Sequence, residues 1–186
     1  MYANRGLHPV LPRHQIRQFR LLPLHNLPTG HLTDVQFESL TDDNMDDMIQ
    51  YDQQVCGWNR RQFWSVWLAK ESCAAYVARR QGRVVGFGLL ALHRDAHYRF
   101  EPLFADDQTI ARHLIKKLTT GLPDNAVFAA DFSMESHVLE ILEDILPKGF
   151  MDDLGYTLTT VATGSPNIIM DKSKLYFYTQ VDTVPI

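Results

Sequence analysis

From Val35 onward the hydrophobic positions recur with two different periods, and each change of period marks a new element. Val35-Gln-Phe-Glu-Ser-Leu40 alternates apolar with polar, as a half-buried strand does. Thr41 then stands where an N-cap is needed, with Asp42 and Asp43 in the first turn, where the helix dipole favours acids. Met45, Met48, Ile49 and Asp52 follow at helical spacing until Gly57 breaks the helix. A second helix is predicted from Arg60 to Lys70, with Phe63, Val66 and Trp67 on one face. Core packing accounts for that stripe more simply than a ligand wall does.

The middle of the chain is richer in strands. Ala74 to Leu90 reads as two hydrophobic strands around a tight turn at Gln81-Gly82. A short polar bend, Arg94-Asp-Ala-His97, leads into a strand over Tyr98–Ala105. Gln108 to Leu118 is a predicted helix with Ile110, Leu114, Ile115 and Leu118 inward, ended by Gly121 and Pro123. Ala126–Phe132 is almost wholly apolar, which predicts a central strand covered on both faces. A helix over Glu135–Leu146 turns Val138, Leu139, Leu142 and Ile145 inward. Two β-rich runs, Tyr156–Ala162 and Lys174–Val181, are expected to pair as an antiparallel hairpin. The order β-α-α-β-β-β-α-β-α-β-β implies an α+β fold, a largely antiparallel twisted sheet with helices on both faces.

Composition narrows the function classes. A chain of 186 residues with 45% hydrophobic and 11% aromatic side chains builds one sizeable core. Its longest apolar block, Val84–Leu92, is of strand length, so no membrane span is predicted. Cys56 and Cys73 lack metal-ligand spacing, and two buried thiols in a reducing compartment are expected, with no metal site. The net charge of −4 conceals an asymmetry. Residues 1–33 hold Arg5, Arg13, Arg17, Arg20 and four histidines but no acid, whereas residues 34–186 carry 14 basic and 22 acidic side chains. Pro9, Pro12, Pro23 and Pro28 resist regular structure, so residues 1–33 are expected to be a flexible leader ahead of a single domain, 34–186. An acid-free, Arg-bearing start is also a feature of mitochondrial transit peptides, but poverty in Ser and the prolines argue for a cytoplasmic protein. The acidic folded part would repel phosphate backbones, which excludes nucleic acid as a partner.

Three stretches carry a resemblance. Asp52-Gln-Gln-Val-Cys-Gly-Trp-Asn-Arg60 is followed by Phe63; the hairpin reads Ala75-Tyr-Val-Ala-Arg-Arg-Gln-Gly-Arg-Val-Val-Gly-Phe-Gly88; the next strand ends Pro102-Leu-Phe-Ala-Asp-Asp107. In this order and spacing they resemble the GNAT superfamily of acyl-CoA-dependent N-acyltransferases over about residues 34–182. The likeness is nearest to a divergent GNAT-like domain at the C-terminus of some bacterial acetyltransferases and in animal proteins. The resemblance implies acetyl-CoA, or another acyl-CoA, as co-substrate and an amine of a small molecule or protein as acceptor; a homodimer is left open.

It also implies a site. The main chain of Leu103, Phe104 and Ala105 would pair with the pantetheine arm as a further strand does. The amides of Thr109, Ile110 and Ala111, at the start of the following helix, would face the pyrophosphate. Glu101, on the strand just ahead, is the candidate base, with an exposed strand glutamate or a partner for Arg99 as the structural alternatives; Pro102 after it interrupts the ladder. His93 and His97 are lesser candidates, and Asp131 a second polar group in the slot. The Tyr that many members use as general acid has no counterpart, because Ile145 and Met151 stand at the corresponding spacings; water or Ser136 would have to serve. The usual glycine-rich phosphate loop is missing too, replaced by Asp106-Asp107-Gln108-Thr109, whose carboxylates oppose a polyanion unless Arg112 or Lys116 compensates; Asp107 as a helix cap is the simpler role. Gly86-x-Gly88 lies inside a strand, where it marks a bulge or a close approach rather than a nucleotide turn. Two function classes therefore stand side by side: an acyl-CoA-dependent N-acyltransferase, and a degenerate GNAT-fold module that binds a metabolite or protein without CoA chemistry.

Overall fold

A computed structural model describes residues 7–9, 14–20, 28–57, 59–68, 73–92, 97–133, 136–145, 151–157, 160–162 and 171–177. In chain order the elements are β1 (Leu7–Pro9), β2 (His14–Arg20), β3 (Val35–Ser39), α1 (Asp42–Cys56), α2 (Arg61–Leu68), β4 (Cys73–Arg80) and β5 (Arg83–Leu92). There follow β6 (Tyr98–Ala105), α3 (Gln108–Thr119), β7 (Val127–Ser133), α4 (Val138–Ile145), β8 (Met151–Thr157), β9 (Thr160–Ala162) and β10 (Leu175–Phe177).

Local chemistry explains most boundaries. The Asn44 side chain accepts the Thr41 N–H at 2.9 Å at the start of α1. Gly57, at φ +86°, closes its end by donating to the Gln53 carbonyl. The β4–β5 turn puts both Gln81 and Gly82 at positive φ, the backbone hand that matches the twist of a two-residue hairpin.

The main sheet runs β3-β4-β5-β6-β7-β2-β8, and β10 pairs with β6 off this path. Helices α1 and α2 pack one face, where Met48, Val55 and Trp64 meet Val77, Phe87 and Leu89. Helices α3 and α4 pack the other, where Leu114, Ile115 and Leu142 meet Phe100, Phe128 and Ala130. Most strand pairs are antiparallel; β6 and β7 run parallel, in register only from Tyr98–Phe100 against Phe128–Ala130.

Two expectations are corrected. The segment 1–33 contributes strands: β2 lies between β7 and β8, and β1 pairs with β9. The four prolines leave residues 13–22 uninterrupted, long enough for a strand whose backbone groups are met on both sides. Among the described residues the terminal runs also do not pair with each other: β8 joins β2, β9 joins β1 and β10 joins β6. Residues 178–181 of the second run, and 94–96 of the polar bend, lie outside the described residues.

Candidate functional site

The site begins at a bulge. Gly88 lies opposite Leu103 and Leu90 opposite Phe100, so Leu89 faces two residues of β6, Glu101 and Pro102. Pro102 has no N–H to give the ladder, which is why the extra residue falls here. Neighbouring residues on a strand point to opposite faces, and Phe100 joins the α3/α4 core. Glu101 therefore turns toward the α1/α2 face, where it is 2% exposed with its Oε1 3.8 Å from Arg99 Nε.

Beyond Phe100 the register between β6 and β7 ends, and β6 presents a free edge toward the gap. That edge is filled by the chain itself. Leu175 pairs with Phe104 and Phe177 with Leu103, while the other edge of the same residues is held by Phe87 and Gly88 of β5. Leu175, Tyr176 and Phe177 are all nearly inaccessible to solvent, and Phe177 stacks on Phe100 with ring centroids 4.8 Å apart. From the opposite wall, the Ser136 hydroxyl lies 3.0 Å from the Leu175 carbonyl and 3.2 Å from that of Tyr176.

The approach to β10 is anchored as well. Asp171 donates its N–H to the Val55 carbonyl at 2.8 Å. Lys174 Nζ is 2.8 Å from Asp106 Oδ1 and sits over the Tyr51 ring. The Tyr51 hydroxyl donates to the same Asp106 oxygen at 3.0 Å. Burial, and then the nearby Asp106 carboxylate, push the Tyr51 phenol well above the ordinary tyrosine range. Tyr176 is raised in the same direction, by burial first and Asp107 second.

Asp107 occupies the helix start. Its Oδ1 accepts the Ile110 N–H at 2.9 Å and its carbonyl accepts that of Ala111 at 3.1 Å. Two of the three amides expected to face a pyrophosphate are thus bonded to this aspartate. Arg112 is paired with Asp144 at 2.5 Å rather than turned to that helix start.

The structure therefore brings Glu101, Leu103, Phe104 and Ala105 onto one strand and sets Thr109, Ile110 and Ala111 at the head of α3. His93 and the Asp131 side chain lie outside the described residues. Gly86 answers to close approach: a Cβ there would stand 2.8 Å from the Phe104 carbonyl oxygen and 3.1 Å from Ile110.

Two features escaped sequence reasoning. Asp52 and Arg60, quoted above as pattern positions without a role, form a buried bidentate ion pair. Trp64 Nε1 also donates to Asp52, and the Arg60 guanidinium lies over Phe63, Trp64 and Phe104. The occupancy of the β6 edge by β10 was the other. Its strand character was visible in Lys174–Val181, but its partner was not.

Comparison with known proteins places this geometry. The profile described as an acetyltransferase (GNAT) domain matches residues 48–146. The chain belongs to the GNAT acetyltransferase family. Acyl transfer is the family's general chemistry, acetyl-CoA its usual co-substrate and amines its acceptors. A holothin acyltransferase of a Pseudoalteromonas strain is 25% identical over 112 residues, spanning 60% of this chain and 37% of that protein. A Pyrococcus horikoshii protein shares the fold at a TM-score of 0.63 and 13% identity, over 95% of this chain and 53% of its own. A GCN5-related N-acetyltransferase from Kribbella flavida does so at 0.57 and 16% identity, over 82% and 38% respectively. The fold is the GNAT-like α+β plan, with the parting of β6 and β7 at its centre. Among the described residues no helix is long and apolar enough to cross a membrane.

Proposed function

We propose that this chain is a GNAT-fold module that works without CoA chemistry, retaining the family's sheet and helices and binding a metabolite or protein partner instead. The observation that carries this reading is β10 on the edge of Leu103 and Phe104. An acyl-CoA bound in the family's manner would have to expel three buried side chains, each stabilised by about 1.5–3 kcal/mol through burial. Their sum is comparable to the ~8 kcal/mol that a micromolar ligand gains on binding. Asp106 and Asp107 oppose a pyrophosphate in addition. The likeness to the holothin acyltransferase accounts for 37% of that protein, so its activity does not transfer to this chain by similarity. The acidic balance of residues 34–186 suits a basic partner. Calorimetric titration of the whole chain with acetyl-CoA into the millimolar range tests the proposal. No heat of binding is expected, and saturable micromolar binding would overturn it.

A second reading keeps the activity: transfer of an acyl group from acyl-CoA to a primary amine, with Glu101 as the base. It is favoured by one observation, the burial of Glu101 on the bulge at the mouth of the gap between β6 and β7. Amine-dependent release of thiol from acetyl-CoA, abolished by Glu101→Gln, would establish it.

A further inference from the structure

The main chain of Leu103 and Phe104, which an amide-bearing cofactor arm would use in the β6–β7 gap, is engaged by Leu175 and Phe177 of the segment Asp171–Phe177. We propose that this segment is an internal stand-in for the cofactor arm, latched by the Asp106–Lys174 ion pair, and that the groove beneath it still accepts a pantetheine arm once the latch is broken.

The argument rests on how the two walls hold the segment. On one side, Leu103 and Phe104 pair with it through their main chain, an interaction that asks for amides and is indifferent to what carries them. On the other, Ser136 contacts two successive carbonyls, Leu175 and Tyr176, again recognising amide oxygen rather than a side chain. Both walls are therefore built for a linear chain of amides with apolar flanks. Phe100 supplies the apolar platform, on which Phe177 now stacks.

The latch explains the aspartates that interrupt the family pattern. Asp106 stands at the step from β6 to α3 and takes the Lys174 ammonium at 2.8 Å and the Tyr51 hydroxyl at 3.0 Å. Next to it Asp107 supplies an internal anion to the head of α3 and lies 3.8 Å from Arg80. A carboxylate thus fills the place of a phosphate and a strand fills the place of the arm. This goes beyond the closed-module reading, because it concerns what the groove can bind when opened.

Charge reversal at the latch tests it. Lys174→Glu sets two carboxylates face to face, and hydrogen exchange read by mass spectrometry at residues 171–177 reports whether the segment leaves. In the intact chain, that variant is expected to exchange faster there and to bind pantetheine at least about tenfold more tightly than the parent, because the competent population rises. Pantetheine is expected to bind no worse than acetyl-CoA, since the phosphates meet Asp106 and Asp107. Asp106→Lys combined with Lys174→Glu should restore protection and abolish the gain. Arg61→Glu, which breaks an exposed pair elsewhere, serves as control and should change neither readout. If Lys174→Glu loses its cooperative melt, Lys174→Ala, which removes the ion pair without adding a repulsion, carries the same expectation. Faster exchange at 171–177 without any gain in pantetheine binding overturns the inference and leaves the closed-module reading standing. Tight acetyl-CoA binding by the parent chain overturns that reading instead.

Discussion

Replacing Asp52 by alanine should cost this domain far more than replacing any surface aspartate, and the reason lies in what Asp52 faces. Its carboxylate is wholly buried and takes two donors from Arg60, one from Trp64 Nε1 at 2.9 Å and a thiol contact from Cys56 at 3.6 Å. The Arg60 side chain is itself 5% exposed. Removing one partner of such a pair typically costs about 3–5 kcal/mol, because the remaining charge stays in low dielectric. The indole N–H loses an acceptor too, a penalty of about 1–3 kcal/mol that overlaps with the first and is not simply added. Against this, Arg60 keeps its aromatic contacts with Phe63, Trp64 and Phe104, which offset roughly 1 kcal/mol. The net expectation is about 3 kcal/mol, equivalent to a fall in Tm of roughly 6–12 °C for a domain of this size. Urea denaturation followed by tryptophan fluorescence measures it, with Trp64 as a local reporter. Asp46→Ala, which breaks an exposed pair with Arg61, should cost about 0.5 kcal/mol or less. Asp52→Leu with Arg60→Met should recover most of the loss, since the pair is replaced by apolar volume. If Asp52→Ala melts like Asp46→Ala, the assignment of this pair as a structural anchor is wrong. The consequence reaches the groove: Phe104, under Arg60, is a residue on which β10 pairs.

Other expectations follow from single contacts. Gly86→Ala drives a Cβ to 2.8 Å from a backbone oxygen, so β5 and β6 must shift, at about 1–3 kcal/mol in a denaturation series; an unchanged midpoint would mean the strands are looser than described. Tyr51 and Tyr176 hold their protons above the ordinary value of 10.0 when folded, so above that pH the unfolded chain binds fewer protons and stability falls, while below it their contribution is complete. Denaturation midpoints should therefore be flat up to about pH 9 and decline beyond it, a slope that Tyr51→Phe with Tyr176→Phe reduces; an equally steep slope in the double variant counts against the burial argument. Thiol release from acetyl-CoA is expected to stay at the no-protein level for the parent and for Glu101→Gln alike; a clear drop from a higher parental rate would support the acyltransferase reading.

Elements whose cause is local were legible in the sequence. Thr41 with Asn44, Gly57 at positive φ, the Gln81-Gly82 turn and Asp107 at the head of α3 each set a boundary through atoms a few residues apart. The inward faces of α3 were legible for the same reason, since Ile110, Leu114, Ile115 and Leu118 recur with the helical period and are all buried. Pairings between distant strands were not. Lys174–Val181 reads as a strand whatever it pairs with, because alternation reports a half-buried surface and says nothing of the neighbour. The N-terminal segment was misjudged by averaging: four prolines over 33 residues suggest a leader, yet the ten residues between Pro12 and Pro23 hold β2. Asp106 fell between these cases, since its position was conspicuous but its partner, Lys174, lies 68 residues away.

That separation bears on how the missing glycine loop should be understood. Glycines at a phosphate loop provide conformational freedom and room for a bulky anion, and losing them alone would leave an unfilled cradle with bare helix-start amides. Such a helix end is costly when buried, and the chain does not leave it bare: Asp107 caps it, and Asp106 is neutralised by Lys174. The substitution at the loop and the strand in the gap therefore satisfy each other's demands. Asp106 without Lys174 would be an uncompensated carboxylate beside a buried phenol, and without Asp106 the lysine just ahead of β10 would be unanchored at the groove mouth. A chain that had merely decayed from an acyltransferase has no reason to contain both halves of that match. The two aspartates are better explained as parts of a closure than as a damaged phosphate site.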